Sequence, residues 1–270
     1  MALRHSRRRS SIELLGAGSL GLLLALPALP ALPGGELPAQ HSNGRTLTLR
    51  TWNVGDGRAS AEQIAAALAL VDADVICLQE LATTVGKALE PLVAEQYPYH
   101  VFHSLGRDGK ALLSRWPILS EKLMQPAAGH NLQRARIDFN GTEVLIYNVH
   151  PSASIALLGR WSPDETALLQ AAVETARHPC GILAGDFNLT PLAHSYTRIE
   201  DRNLRNAFAQ VGRGTGFSFP LFGRYRGAPL PPFIRIDHVW VSDKLAIQSG
   251  ALGQDGGSDH RPLDVVLLVP

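Results

Sequence analysis

Hydrophobic positions fall in short runs along most of this chain, and each run ends at Gly, Pro or a polar side chain. Leu47 to Val54 alternates Leu and Trp with Thr, which predicts a strand closed by Gly55 and Gly57. Ser60 to Leu70 is rich in Ala and Leu, with Ser60 placed as an N-cap and Gln63 three residues on, so a helix is predicted there. Val75 to Leu78 is too short an apolar run for a helix and reads as a buried strand ending at Gln79-Glu80. Strand, helix and strand within about thirty residues make a βαβ-like layer arrangement.

The pattern continues in the same idiom. A helix is predicted over Thr84 to Glu95, then strands over Tyr97 to Phe102 and Gly109 to Ser114, the latter stopped by Trp116-Pro117. Arg134 to Phe139 alternates, Asn140-Gly141 is a hairpin turn, and Glu143 to Val149 is the partner strand, ending at His150-Pro151. Ser162 as N-cap, Pro163 at the first helical position and Glu165 start a helix that runs to about His178. Ile182-Leu183-Ala184 then reads as a buried strand running into Gly185, Asp186 and Asn188. Pro191 to Glu200 and Asn203 to Gln210 read as helices, residues 212–233 as loop, and Ile234 to Val241 and Leu263 to Val269 as the last strands. No internal repeat is visible.

The first residues break this pattern. Residues 4–9 are basic, Leu14 to Leu26 carries no charge, and Pro27, Pro30 and Pro33 interrupt the apolar stretch beyond it. That order resembles a secretory signal or signal-anchor. Thirteen uncharged residues are short for a membrane span. The basic flank places the body of the chain outside the cytoplasm. The stretch has no clean Ala-x-Ala site, so cleavage and retention both stay open, as does an untranslocated leader. Residues 34–45 read as a linker. The expected organisation is therefore a leader and linker over 1–45 and one folded domain over 46–270, extracytoplasmic, monomeric, and able to meet a membrane surface through its N-terminal segment.

Composition narrows this little. A length of 270 residues, 45% hydrophobic and 18% charged, describes an ordinary globular chain. The net charge is +1, and the basic leader accounts for it, which argues against a strongly polyanion-seeking domain. Cys77 and Cys180 lie in or beside buried strands and read as small core hydrophobes. One disulfide stays open for an exported domain, and no zinc spacing is present.

The strand ends carry the candidate chemistry. Asn53, Glu80, His150, Asp186 with Asn188, and Asp259-His260 lie at strand ends or turns, and Asp237-His238 lies near the start of a late strand. Parallel-rich sheets place their ligands at such ends. Asp186 and Asn188 are two apart, so they share a face if the strand geometry continues. An acid that positions or deprotonates water would then sit beside an amide that donates to a phosphate oxygen. A turn with a local Asx hydrogen bond is the plainer reading. Together the residue types suit hard-cation hydrolysis, since Mg²⁺ takes one or two carboxylates and keeps waters and phosphate for the rest. A His beside an Asp can be held in one tautomer. His238 reads as structural, Tyr97, Tyr99 and His103 as packing, and Arg134 and Arg136 as a solvated face.

These motifs also carry a resemblance. Thr-Trp-Asn-Val at 51–54, Leu-Gln-Glu at 78–80, Leu-Ser-Arg-Trp-Pro at 113–117, Asn-Val-His at 148–150, Gly-Asp-Phe-Asn at 185–188, Ile-Asp-His at 236–238 and Ser-Asp-His-Arg-Pro at 258–262 occur in this order. The set is similar to the endonuclease/exonuclease/phosphatase superfamily, the metal-dependent phosphoesterases that include DNase I and exonuclease III, over about residues 46–269. The resemblance implies a four-layer α/β sandwich, with two face-to-face mixed sheets flanked by helices. It implies Mg²⁺, with Mn²⁺ as the alternative, held by Glu80 with Asn53 and Asp259 nearby. Asp186 would orient or deprotonate water, Asn188 and His150 would hold phosphoryl oxygens, and His260, oriented by Asp237, would stabilise the transition state or act as acid/base. One departure is Gly55, two residues past Asn53, where some family nucleases carry an acid; Asp56 stands next to it.

The substrate is less legible. Residues 212–235 mix Arg213, Arg224, Arg226 and Arg235 with Phe217, Phe219, Phe222, Tyr225 and Phe233. Such a mixture can stack bases and grip phosphates, or lie at a membrane interface and hold a lipid phosphate. Arg224 and Arg226 are the substrate-binding candidates. The leader favours the second reading. Asn-Val-His-Pro at 148–151 and the Gly-x-Gly and Phe-Pro of 212–220 also resemble the bacterial membrane-associated branch that includes glycopeptide-resistance phosphatases acting on isoprenoid pyrophosphate. The expectation is an exported phosphoesterase on a lipid-linked or small phosphate ester. An exported nuclease on DNA or RNA and an inactive binding protein on the same fold are the alternatives.

Overall fold

Three separate apolar layers set the architecture. The computed structural model describes residues 44–126, 129–152, 163–221, 231–254 and 256–270. Its strands form two six-stranded sheets. The first has the order β11 (Ala246–Leu252), β12 (Leu263–Val269), β1 (Arg45–Asn53), β2 (Val75–Gln79), β4 (Lys110–Ser114) and β3 (Tyr99–His103). The second has the order β5 (Ile118–Met124), β6 (Leu132–Phe139), β7 (Thr142–Val149), β8 (Gly181–Asp186), β10 (Asp237–Val241) and β9 (Arg205–Asn206). Both are mixed, because β1 with β2 and β7 with β8 pair parallel while the remaining pairs are antiparallel.

Successive strand residues point to opposite faces. Leu47 and Leu49 of β1, Val75 and Cys77 of β2, and Leu112 of β4 therefore face inward, where they meet Ala135, Ile137, Val144, Ile146, Ile182, Ala184 and Val239 of the second sheet. The intervening residues face outward. Trp52, Ile76, Leu78 and Leu113 pack under helices α1 (Ala61–Ala69) and α2 (Thr83–Val93) through Ile64, Leu68, Leu89 and Val93. On the other side Leu145, Tyr147, Leu183 and Trp240 pack under α3 (Pro163–Arg177) and α4 (His194–Glu200) through Leu168, Ala172, Tyr196 and Ile199. The result is a four-layer α/β sandwich of helices, sheet, sheet and helices. Ser60 caps α1 with both bonds of the capping box in place, as its spacing from Gln63 predicts.

Several boundaries differ from expectation. Strands β5 and β11 occupy stretches where no element was predicted. β5 pairs with β6 alone and β11 with β12 alone, each at the edge of its sheet and each with a break in register, so their apolar alternation is weak. The helix expected over 191–200 begins only at His194, and that expected over 203–210 is the two-residue strand β9 followed by α5 (Ala207–Val211), capped by Asn206. The late strand begins at Asp237, with Ile234 making only an isolated bridge to Phe219. Cys77 and Cys180 are buried and unbridged. Arg134 and Arg136 are not a plain solvated face: Arg134 Nε donates to Glu174 at 2.8 Å, and Arg136 lies 3.1 Å from Glu143. The expected leader and the Ser162 cap lie outside the described residues.

The inward face is apolar only along part of its length. Towards one edge it carries Thr51, Gln79, Lys110, Gln133 and Asn148, all buried. Gln79 Nε2 donates to Asn148 Oδ1 at 2.8 Å and lies 2.9 Å from Thr51 Oγ1. Asn148 Nδ2 lies 3.0 Å from the Leu78 carbonyl, 3.1 Å from Gln133 Oε1 and 3.2 Å from the Ala111 carbonyl. This network ties the two sheets together. Replacing Asn148 by Leu removes its bonds to Gln79, Gln133 and the two carbonyls from a buried network, so N148L is expected to cost about 3 kcal/mol in chemical denaturation. The double variant N148L/Q79L should lose less than the sum of the single losses, because both remove one interaction.

Candidate active site

The pairing registers bring six distant segments to the same edge. Asn53 lies opposite Gln79, so the parallel strands β1 and β2 end together and Glu80 follows at once. Val149 lies opposite Gly185, so β7 and β8 also end together, at His150 and Asp186. Asp237 begins β10 opposite Asp186, and Leu263 begins β12 opposite Thr51, just after His260. Asn53 and Asp186 stand at the last inward position of their strands and Asp237 at the first of β10, with His150 two residues past Asn148 on the same face. Gly185 lets β7 and β8 approach: its φ is +151°, and a Cβ there would lie 1.9 Å from the Val149 carbonyl oxygen.

Asp186 is the hub. Its Oδ2 accepts from Asn53 Nδ2 at 3.0 Å, a bond that joins the two sheets. Its Oδ1 accepts from the Asn188 backbone N–H at 2.8 Å. His150 Nε2 and His260 Nε2 both lie 3.6 Å from Oδ2. His260 Nδ1 lies 2.9 Å from Asp237 Oδ2, and Asp237 is fully buried. The loop that carries His260 is fastened to β1, since Trp52 Nε1 donates to the His260 carbonyl at 3.1 Å and Ser258 Oγ donates to the Asn53 carbonyl at 2.7 Å. Burial pushes the Asp186 carboxyl above its usual range, and His260 only partly offsets this. Burial also works against a charged His260, but Asp237 and Asp186 outweigh it and raise the imidazole pKa. Both shifts keep protons within the Asp186–His260–Asp237 chain.

Glu80 faces the same space. Its φ of +53° turns the chain sharply after β2, and its Oε1 lies 3.5 Å from His150 Nε2. Burial raises its pKa, with the Asn53 hydrogen bond and His260 opposing. His150 Nδ1 lies 3.1 Å from the Arg107 carbonyl, which can only accept, so Nδ1 carries a proton. Burial, Lys110 and His130 lower the His150 pKa well below the ordinary value. Its Nε2 lone pair therefore points between Glu80 and Asp186. Asp259 stands near Glu80 but is ion-paired to Arg58 at 3.3 Å.

Of the predicted residues, the structure brings together Asn53, Glu80, His150, Asp186, Asp237, Asp259 and His260. Asn188 needs a correction. It has a φ of +50°, so strand geometry does not continue past Asp186 and the shared-face argument fails. The backbone makes the Asx bond of a turn, and the Asn188 side-chain amide donates to the Pro151 carbonyl at 2.9 Å. Arg224 and Arg226 lie outside the described residues. Asp56 does not turn inward: it is exposed, 3.9 Å from Arg107. Missed in sequence were Arg58, Arg107 and Lys110, whose side chain is 0% exposed, while Phe219, from the aromatic-rich stretch 212–235, sets its ring centroid 4.5 Å from that of His260. Parity along β4 could have found Lys110, since it shares the inward face with Leu112.

The donor set fits a hard cation. Asp186, Asp237 and His260 each present an atom within 4.8 Å of the others, but the Asp237–His260 bond already occupies the imidazole Nδ1. Glu80 is the carboxylate that burial leaves short of positive charge, and the side-chain carbonyl oxygen of Asn53, which accepts from the Gly55 N–H at 2.9 Å, keeps a second lone pair. Oxygen donors of this kind suit a divalent ion that retains waters.

A sequence model of the Endonuclease/Exonuclease/phosphatase family matches residues 51–260. Among solved structures, an endonuclease/exonuclease/phosphatase from Beutenbergia cavernae is similar at 20% identity, covering 83% of this chain and 72% of that one, with a TM-score of 0.67. A mannosyl-6-phosphatase from Bacteroides thetaiotaomicron is 20% identical over 82% of this chain and 99% of that one, with a TM-score of 0.65. The 3′ phosphatase NExo from Neisseria, bound to product DNA hairpin, is 23% identical over 81% and 98%, with a TM-score of 0.64. Among curated proteins none matches the sequence.

The neighbouring His238 points to the outer core and behaves differently from His260. Its Nε2 donates to the Leu189 carbonyl at 2.8 Å, its Nδ1 lies 3.3 Å from Asn206 Nδ2, and burial pushes its pKa down to about 4. The unfolded chain therefore takes up this proton first on acidification. Stability that is full above about pH 6.5 should fall by about 3 kcal/mol as pH drops towards 4. H238Q should remove that component from the pH dependence of the denaturation midpoint. In the same pH range His260 should stay protonated by NMR, and D237N should lower its midpoint.

Proposed function

The chain belongs to the endonuclease/exonuclease/phosphatase family, and on that footing we propose that it is a divalent-metal-dependent phosphoesterase that removes phosphate from a small or lipid-linked ester outside the cytoplasm. The observation that carries the reading is Asp186 held between His150 and His260, each at 3.6 Å, and bridged to the opposite sheet by Asn53. Glu80 and Asn53, with Asp259 nearby, would hold the cation, Mg²⁺ or Mn²⁺. Such a cation would neutralise charge that develops on the phosphoryl group.

Asp186 is assigned to the attacking water. Its raised pKa makes it a stronger base near neutral pH than an ordinary carboxylate. Asn53 and the Asn188 N–H fix both of its oxygens, so the base is oriented before substrate arrives. His260, held by Asp237, presents Nε2–H to the phosphoryl oxygens or the leaving group. His150 faces the same space with Nε2 as an acceptor, 3.5 Å from Glu80 and 3.6 Å from Asp186, and would take a hydrogen bond from a protonated phosphoryl oxygen or a bound water. The apolar ring of Phe219 covers one face of His260 and limits water there.

Two features favour a phosphatase on an extracytoplasmic ester. The first forty residues have the order of a signal or anchor, although no helix among the described residues is long and apolar enough to cross a membrane. Two of the structural neighbours are named phosphatases. A nuclease is the second reading, favoured by the NExo protein of Neisseria meningitidis, which is named a 3′-5′ exonuclease. The complete set of acids and imidazoles argues against an inactive binding protein.

The purified protein is expected to release phosphate with Mg²⁺ or Mn²⁺ and to lose that activity in EDTA. D186A and H260A should each fall by at least about 10³-fold, because each removes a group that touches the reacting atoms. Unchanged turnover in either variant ends the assignment. Parallel assays on isoprenyl pyrophosphate with detergent and on plasmid DNA separate the readings: phosphate release from the lipid with intact plasmid supports the phosphatase, and plasmid degradation alone supports the nuclease.

A further inference from the structure

We propose that Asp164 and His130, neither of which faces the reacting groups, form a clamp that positions His150; this rests on the reading of His150 as an active-site group. The backbone of 150–152 is gripped from three sides. His130 Nδ1 donates to the His150 carbonyl at 3.0 Å. Asn188 Nδ2 donates to the Pro151 carbonyl at 2.9 Å. Asp164 Oδ2 accepts from the Ser152 N–H at 3.1 Å, while its Oδ1 accepts from the His130 N–H at 2.6 Å. Asp164 thus ties together the two segments that flank the imidazole, and it does so from the first turn of α3, a helix anchored in the outer core. The His130 ring stands edge-on to the His150 ring at 5.3 Å.

The site is built for a carboxylate. Two backbone donors converge on two oxygens of a buried side chain. An Asn there offers one acceptor and sets its NH₂ against the other N–H. Gly129 completes the fit: its φ is +105°, and a Cβ at that position would lie 1.9 Å from Asp164 Oδ1. Any side chain at 129 therefore displaces the carboxylate. The quantity at stake is the position of His150 Nε2, which is 3.5 Å from Glu80 and 3.6 Å from Asp186. A shift of about 1 Å in such a group lowers turnover by about 10²-fold.

Asp164 and His130 are positioning residues, so the test uses readouts that a stability change alone would not move. In the full chain, well below the unfolding midpoint, D164N and G129A should each lower kcat by about 10- to 100-fold with KM within about threefold. The double variant should be no worse than the poorer single, because both act through one carboxylate. H130L should lose activity and H130Q, which keeps a donor for the His150 carbonyl, should recover most of it. Long-range imidazole ¹⁵N spectra give an activity-independent arm. The wild type should show His150 protonated at Nδ1, and D164N and G129A should show a mixture of tautomers. Wild-type kcat in D164N with an unchanged His150 spectrum overturns the clamp. Absence of phosphoesterase activity in the wild type would overturn the proposed function instead, and the spectra would still decide the clamp.

Discussion

The feature on which the rest of this structure depends is a change of character along the inward faces of two sheets. Each inward row starts apolar and ends polar at the same edge: Leu47, Leu49, Thr51, Asn53 in one sheet and Val144, Ile146, Asn148, His150 in the other. The Gln79–Asn148 bond sits where the change occurs. A one-residue slip of either strand would turn its whole inward set outward, so the apolar half fixes the register for the polar half. The dry core is thus what aligns Glu80, His150, Asp186 and His260, although none of them belongs to it. The buried amides add direction to an interface that apolar contact alone leaves non-directional.

Alignment at a sheet edge also explains the electrostatics. Asp186, Asp237 and His260 are buried because the sheets close over them, and burial is the largest influence on Asp186. A buried acid in that position must share a proton or meet a cation. The Asp186–His260–Asp237 chain does the first, and Glu80, half-buried beside it, is suited to the second. His150, held neutral by burial and by the ammonium of Lys110, does not compete with a cation for the carboxylates. Each group thus has a protonation state that its surroundings impose, which is what the proposed attack on a phosphoryl group would use.

Much of this was legible in the sequence because an apolar strand that stops at a polar residue is a local signal. Asn53, Glu80, His150 and Asp186 were all found that way, and the ordered motifs supplied the four-layer fold. What escaped was non-local or irregular. Edge strands β5 and β11 bury little and break register, so they carry no clear alternation. Asn188 was misread because a left-handed residue, not a continued strand, follows Asp186. Lys110 looks like an ordinary surface lysine until the parity of β4 is known. Asp164 reads as an acid in the first turn of a helix, and its actual partners are backbone N–H groups at residues 130 and 152, which no side-chain pattern can announce.

The central claim is that these separated segments make one site for a cation and a phosphoryl group. Anomalous diffraction from a crystal of the protein soaked with Mn²⁺ and inorganic phosphate tests it most directly. The account predicts an anomalous peak within coordination distance of the Glu80 carboxylate, with phosphate bound between His150 and His260 above Asp186. Mn²⁺ and phosphate bound elsewhere, with Glu80 and Asp186 touching neither, would contradict it.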